Sequence, residues 1–214
     1  MKTTLIFVRH GQSKYNRSRK FTGQQDSPLT ALGREQAERA AIYLDRFPIT
    51  RIYASDLSRA VQTAEPTAKR HGIPILTDPR LREFFAGDWE GMPFDQLVKT
   101  YPELYQVLKH DVGNLQCPNG ESFTDLANRV CACVDEILRK NQGECIAVFS
   151  HASPLRALGC VWQGLSFSRA AELPKSANAS VTVVQYDEDF RPTILQYAYD
   201  EHLGGETTVL PVNV

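Results

Sequence analysis

Leu5-Ile6-Phe7-Val8-Arg9-His10-Gly11, close to the start of the chain, and Ile146-Ala147-Val148-Phe149-Ser150-His151, far downstream, are the two stretches on which the fold turns. Each opens with four apolar residues, then gives one polar residue and a histidine. An apolar run this short, with no polar alternation, reads as a strand covered on both faces, the pattern of a parallel sheet. In open α/β sheets, ligands bind beyond the carboxyl ends of the strands. If these two strands are parallel and close together, both imidazoles reach one crevice. A lone histidine is usually a satisfied or solvated side chain, and two at matching strand ends weaken that reading.

Outward from these stretches, strand and helix patterns alternate along the chain. Residues 3–8 and 144–150 are the strands just described, and 51–54, 74–77, 180–187 and 192–199 read as four more. Thr30 can cap a helix running to about Phe47, with Leu32, Ala37, Ala40, Ala41 and Leu44 at roughly helical spacing. Ser55 or Asp56 can cap the next helix, which Gly72 ends. Ser122 can cap a long one whose apolar face carries Phe123, Leu126, Val130, Val134, Ile137 and Leu138. Two helical pieces are expected over 94–110 and another over 154–164. Residues 9–28 read as a polar loop with about one helical turn. The alternation predicts an α/β fold, a three-layer sandwich with a mostly parallel central sheet and helices on both faces. A single domain over residues 1–214 is expected, with a partly helical cap or insertion around residues 78–120.

Composition excludes several classes. The 214 residues carry a formal net charge of −1, which argues against nucleic-acid binding through bulk positive charge. No apolar run approaches the roughly 20 residues of a membrane span. Lys2 precedes a short apolar stretch, but Arg9 and His10 interrupt it too soon for a signal peptide. The five cysteines, Cys117, Cys131, Cys133, Cys145 and Cys160, are odd in number and form no CxxC pair. Reduced thiols in a cytoplasmic protein are expected, with no structural zinc.

The residues around the two histidines suit a phosphate. Arg9 can grip phosphoryl oxygens with parallel hydrogen bonds, and Gly11 lets the backbone approach closely. Arg59 falls in the first turn of the helix after the second strand, where free N–H groups already favour anions. Together these residues reach a known pattern. The chain resembles the histidine phosphatase superfamily, the phosphoglycerate mutase-like proteins, along nearly its whole length. Arg9-His10-Gly11-Gln12-Ser13 with Asn16 looks like the family's first signature. Phe21-Thr22-Gly23-Gln24, and Asp26-Ser27-Pro28-Leu29-Thr30 with Gly33, look like the segment after it. Residues 55–64 are similar to its second arginine motif. Leu81-Arg82-Glu83 with Gly87 and Trp89-Glu90-Gly91 is similar to its acid/base loop, and Ser150-His151 with Arg156 to its second histidine motif.

The resemblance implies that His10 accepts the phosphoryl group, that Glu83 donates the proton and that His151 assists. It implies that Arg9, Asn16 and Arg59 bind the phosphate, joined by the backbone N–H of Ala152. Thr22, Gly23 and Gln24 become candidate substrate contacts. Many relatives have two glycines after the second histidine where this chain has Ala152 and Ser153, which bears on substrate choice more than on chemistry.

This set can carry out phosphoryl transfer, which needs an in-line nucleophile, charge stabilisation on three oxygens and a proton for the leaving group. An imidazole with a reference pKa of about 6.5 offers a neutral nitrogen near neutrality. Its other nitrogen must keep its proton on a nearby acceptor, expected to be a backbone carbonyl. Two arginines and a protonated His151 would supply the charge that Mg²⁺ supplies elsewhere, so no metal and no cofactor are expected. Glu90 is the rival to Glu83, which the family pattern favours because it precedes Gly87 and Trp89. The expected activity is hydrolysis of a phosphomonoester on a small phosphorylated metabolite, through phosphohistidine. Neither nucleic acid nor membrane is an expected partner, and the chain is expected to be a monomer or homodimer. The alternatives are a cofactor-dependent phosphoglycerate mutase, a non-catalytic binding module on the same fold and metal-assisted hydrolysis. The segment Phe84-Phe85-Ala86-Gly87-Asp88-Trp89, with no tyrosine, looks like the phosphatase branch rather than the mutases. Phe21, Phe84, Phe85, Trp89 and Tyr101 fall in segments able to roof the pocket, although aromatics there are more often packing residues.

Overall fold

The computed structural model describes residues 1–206. The expected domain therefore includes residues 207–214, which lie outside the described residues. Six strands form one sheet: β1 (Thr3–Arg9), β2 (Arg51–Ala54), β3 (Ile75–Thr77), β4 (Cys145–Ser150), β5 (Val181–Tyr186) and β6 (Pro192–Tyr199). Their order is β3-β2-β4-β1-β5-β6. β1 pairs parallel with β4, and β2 parallel with β4 and β3. β5 runs antiparallel to both β1 and β6, so it alone opposes the other five.

The two central strands are buried on both faces, as their unbroken apolar runs require. Their side chains alternate between two cores. Leu5, Phe7, Ile146 and Val148 enter one cluster with Leu126, Val130 and Leu155. Ile6, Val8, Ala147 and Phe149 enter the other with Ala40, Leu44 and Ala64. The first cluster is covered by α6 (Phe123–Lys140) and α7 (Ala152–Gln163), the second by α2 (Ala31–Leu44) and α3 (Ser58–His71). The three-layer expectation holds. Removing a buried aromatic such as Phe7 would cost about 3–5 kcal/mol, because the layers cannot close over the void.

Helix ends follow local chemistry. Thr30 Oγ1 accepts from Gly33 N at 3.0 Å to cap α2, and Ser122 forms a capping box with Asp125 at the start of α6. Gly72 ends α3 at φ 68. Two expectations need correction. Neither Ser55 nor Asp56 caps α3; Leu57 holds that position without a side-chain bond. Ser55 Oγ instead accepts from Leu57 N at 3.3 Å, and Asp56 pairs with Arg82. α7 begins at Ala152 rather than Pro154, because a proline in the first turn forfeits no intrahelical bond.

The polar stretch after β1 holds the short helix α1 (Lys14–Ser18). Between β3 and α6 lie α4 (Phe94–Thr100), α5 (Pro102–His110) and three 3₁₀ turns. Leu81, Phe84, Trp89, Leu97 and Leu108 of this stretch belong to the same buried cluster as α6 and α7. All five cysteines are free thiols, as expected.

Candidate active site

The parallel pairing of β1 with β4 sets Arg9 opposite Ser150, so His10 and His151 leave the sheet side by side. Their ring centroids are 5.1 Å apart at an interplanar angle of 61°. Both side chains are buried. His10 Nδ1 lies 2.7 Å from the Gly11 carbonyl. That oxygen can only accept, so Nδ1 carries the hydrogen and Nε2 keeps a lone pair that no donor among the described residues meets. Burial, and then the positive charges of Arg59 and Arg9, push His10 well below the usual imidazole range. Its neutral form is the stable one.

The loop after β1 is held from several directions. Gly11 N donates to Thr63 Oγ1 at 3.0 Å, and Thr63 Oγ1 donates to the Arg59 carbonyl at 2.6 Å. A β-carbon on Gly11 would lie 2.4 Å from the Gly33 carbonyl oxygen, so this approach requires glycine. Ala179 N donates to the Arg9 and His10 carbonyls at 3.0 and 3.2 Å. Asn178 Nδ2 donates to the His10 carbonyl at 2.9 Å and to Asn16 Oδ1 at 3.2 Å.

Arg59 is the second residue of α3 and is fully buried. Its Nη2 donates to the Gly23 carbonyl at 2.7 Å, its Nη1 to the Gln25 carbonyl at 2.9 Å and its Nε to His151 Nδ1 at 3.2 Å. His151 Nδ1 is therefore an acceptor, and its hydrogen sits on Nε2. This corrects the expectation of a protonated His151. Burial and then the Arg59 charge push it well below the usual imidazole range. Burial likewise lowers Arg9 and Arg59 to about 10, with Glu83 opposing, so both remain cationic near neutrality.

Two buried donors at this site find no acceptor among the described residues, Arg9 Nε and His151 Nε2. A buried polar group without a partner is unusual, and an anion with several oxygens is the chemistry that would satisfy both. Arg9, His10, Arg59, Asn16 and Glu83 line a narrow cavity of about 20 Å³, and Lys20, Thr22, Gly23 and Phe94 complete its wall. Among the described residues, no group of three or more His, Cys, Asp or Glu could hold a metal ion.

Glu83 is buried at the same wall. Its Oε1 accepts from Phe84 N at 2.8 Å and Ser153 N at 3.2 Å, and its Oε2 from Ala152 N at 3.2 Å. The Ala152 N–H expected on the phosphate thus points to Glu83. The first turn of α7 attracts the nearest anion, and in this fold that anion is a side chain. Gln24 also departs from expectation. Thr22 and Gly23 line the cavity, but Gln24 N donates to Glu90 Oε1 at 2.7 Å and its side chain donates to the Glu83 carbonyl at 3.1 Å. Glu90 Oε1 accepts from Ala86 N as well, at 3.2 Å, which occupies the rival carboxylate with loop support. Phe21, Phe84 and Trp89 are buried in the core, Phe85 is exposed and Tyr101 packs against the core; the aromatic at the cavity is Phe94.

Sequence reasoning missed Lys20, Phe94, Thr63, Asn178 and Ala179. Lys20 directly precedes the Phe21-Thr22-Gly23 motif, which was a usable signal. Asn178 carried none, since it reaches His10 across 168 residues.

The model of the histidine phosphatase superfamily (branch 1) matches residues 5–199. The probable phosphoglycerate mutase GpmB of Yersinia pestis (strain Pestoides F) is 35% identical over 184 residues, covering 86% of this chain and 85% of that protein. YhfR of Bacillus stearothermophilus superposes with a TM-score of 0.90 at 31% identity, covering 94% of this chain and 99% of its own. A mycobacterial glucosyl-3-phosphoglycerate phosphatase does so with a TM-score of 0.86 at 28% identity, covering 94% and 100%. Two strand-end histidines beside buried arginines, in a chain matched from its first strand to its last, mark this protein as a member of the histidine phosphatase superfamily, branch 1.

Proposed function

We propose that the protein is a metal-independent phosphomonoesterase that hydrolyses a small phosphorylated metabolite through a phosphohistidine at His10. The observation that carries this reading is the orientation of His10. Its Nδ1–H is held by the Gly11 carbonyl, while Nε2 has no hydrogen-bond partner among the described residues and lies in a cavity lined by Arg9 and Arg59. In the first step Nε2 attacks phosphorus and the ester P–O bond breaks. The leaving alkoxide takes a proton from Glu83. Oε2 suits that proton, because it accepts one backbone N–H where Oε1 accepts two. In the second step water attacks phosphorus, the N–P bond breaks, and the proton of the water passes to the Glu83 carboxylate. Arg9, Arg59 and the His151 Nε2–H stabilise the phosphoryl oxygens, with Asn16 beside them. Lys20, Thr22 and Phe94 would meet the leaving group.

The likeness to a probable phosphoglycerate mutase supports a second reading, in which the phosphoryl group returns to a sugar acid instead of to water. Incubation with 3-phosphoglycerate and a bisphosphoglycerate primer separates the two. Phosphate release supports the phosphatase, and isomerisation with little release supports the mutase. No described helix is long and apolar enough to cross a membrane. Rapid quenching with ³²P-labelled substrate in excess EDTA tests the whole scheme. An acid-labile, base-stable adduct on His10, absent from His10→Ala, is expected. Turnover without that adduct would refute the mechanism, and loss of activity in EDTA restored by added metal would refute metal independence.

A further inference from the structure

We propose that Arg129, on the outer part of α6, is a positioning residue that holds Glu83 in reach of the leaving group. The proposal rests on the reading of Glu83 as proton donor. Residues 82–86 have no regular secondary structure, so no helix or ladder bonds hold Glu83 in place. The Arg129 guanidinium does this instead. Its Nη1 donates to the carbonyls of Arg80 and Arg82, both at 2.8 Å, and its Nη2 to the carbonyl of Glu83, also at 2.8 Å.

The guanidinium is itself oriented. Its Nε donates to Glu121 Oε2 at 2.9 Å and its Nη2 to Glu121 Oε1 at 2.6 Å. Glu121 then closes on the far side of the segment. Its Oε1 accepts from Phe85 N at 2.8 Å, and its own N–H donates to the Phe85 carbonyl at 2.9 Å. Glu83 is thus gripped at its carbonyl by Arg129 of α6, with a longer bond from Gln24 Nε2 at 3.1 Å, and at its carboxylate by Phe84 N and the first turn of α7. Both grips are needed to fix a side chain whose backbone is irregular. Only a planar fork with five donors can serve three carbonyls and a carboxylate together, so lysine, with three donors, is no more than a partial substitute.

A leaving-group comparison tests this. Alkyl phosphates need the proton, whereas p-nitrophenyl phosphate departs as a stabilised phenolate and does not. Arg129→Met should lower kcat/KM for an alkyl phosphate on the order of 10- to 100-fold, the share of general-acid catalysis that misplacement removes. Its kcat/KM for p-nitrophenyl phosphate, which reports only the steps up to phosphohistidine formation and not the Glu83-assisted hydrolysis common to both substrates, should change little per site able to form phosphohistidine. Arg129→Lys should recover part of the loss. Glu83→Gln combined with Arg129→Met should be no slower on the alkyl substrate than Glu83→Gln alone. If Arg129→Met does not fold, Glu121→Gln carries the test and should show the same selectivity more weakly.

Equal losses on both substrates, or additive losses in the double variant, overturn the proposal and mark Arg129 as merely structural. Selectivity in Glu83→Gln without it in Arg129→Met overturns the proposal alone. If Glu83→Gln shows no selectivity, the assignment of Glu83 falls and the proposal with it.

Discussion

Replacing Gly33 with alanine would disturb His10 without touching it. Gly33 is the third residue of α2, and a β-carbon there would lie 2.1 Å from the carbonyl oxygen and 2.9 Å from the amide nitrogen of Gln12. Ordinary contact begins near 3.4 Å, so the backbones must move apart by about 1.3 Å from the present 2.1 Å. The Gln12 nitrogen shares a rigid peptide plane with the Gly11 carbonyl. That carbonyl holds His10 Nδ1 at 2.7 Å. A shift of about 1 Å at a positioning group can cost on the order of 10²-fold in rate. The effect on stability is smaller. Overpacking typically costs about 1–3 kcal/mol, and alanine returns about 1 kcal/mol of helix propensity, leaving at most about 2 kcal/mol. For a chain of this size, that lowers Tm by no more than about 8 °C. Gly72→Ala is the control. It has open space but sits at φ +68, far from the site. The left-handed strain of about 1–2 kcal/mol should lower Tm with kcat unchanged. Phosphate release at 25 °C and thermal denaturation by circular dichroism read both quantities. Gly33→Ala with the parent's kcat would refute the argument, because the peptide plane would then not transmit the shift to His10.

Glu83→Gln should lower kcat on alkyl phosphates by about 10²–10⁴. It should also destabilise the fold by about 1–3 kcal/mol, because one amide oxygen cannot serve all three backbone donors and the NH₂ meets an N–H. Unchanged turnover, or an unchanged melting temperature, would contradict the respective assignment. Acid should destabilise the protein below about pH 6.5. Burial holds His10 and His151 well below the range of an exposed imidazole, so the unfolded chain binds protons first as pH falls. Their contribution is complete above about pH 6.5 and declines by up to about 1.4 kcal/mol per pH unit and site below it. Denaturant melts at neutral and mildly acidic pH should show that slope, and His10→Asn should flatten it; an equal slope in the variant would count against a buried neutral His10.

The two strand-end histidines were legible because their apolar runs are short and unbroken, and Arg59 because its motif follows β2 directly. Glu83 rested on resemblance, since its loop has no periodicity. Gln24 and Ala152 differ from expectation for a common reason: neighbours in the chain do not set their N–H groups, whereas Glu90 and Glu83, more than sixty residues distant from them, decide where those groups point. Arg129 gave no signal, because on an amphipathic helix one arginine reads as solvated surface.

Hydrophobic patterning alone determined the strands, the layers around them and the kinds of side chain available at the sheet's end, because burial of apolar surface is a local demand repeated along the chain. Tertiary structure decided the rest: which His10 nitrogen is free, that His151 is neutral, and that the start of α7 faces a carboxylate. These depend on directional hydrogen bonds between groups far apart in the chain, and no local pattern of residues encodes such partners.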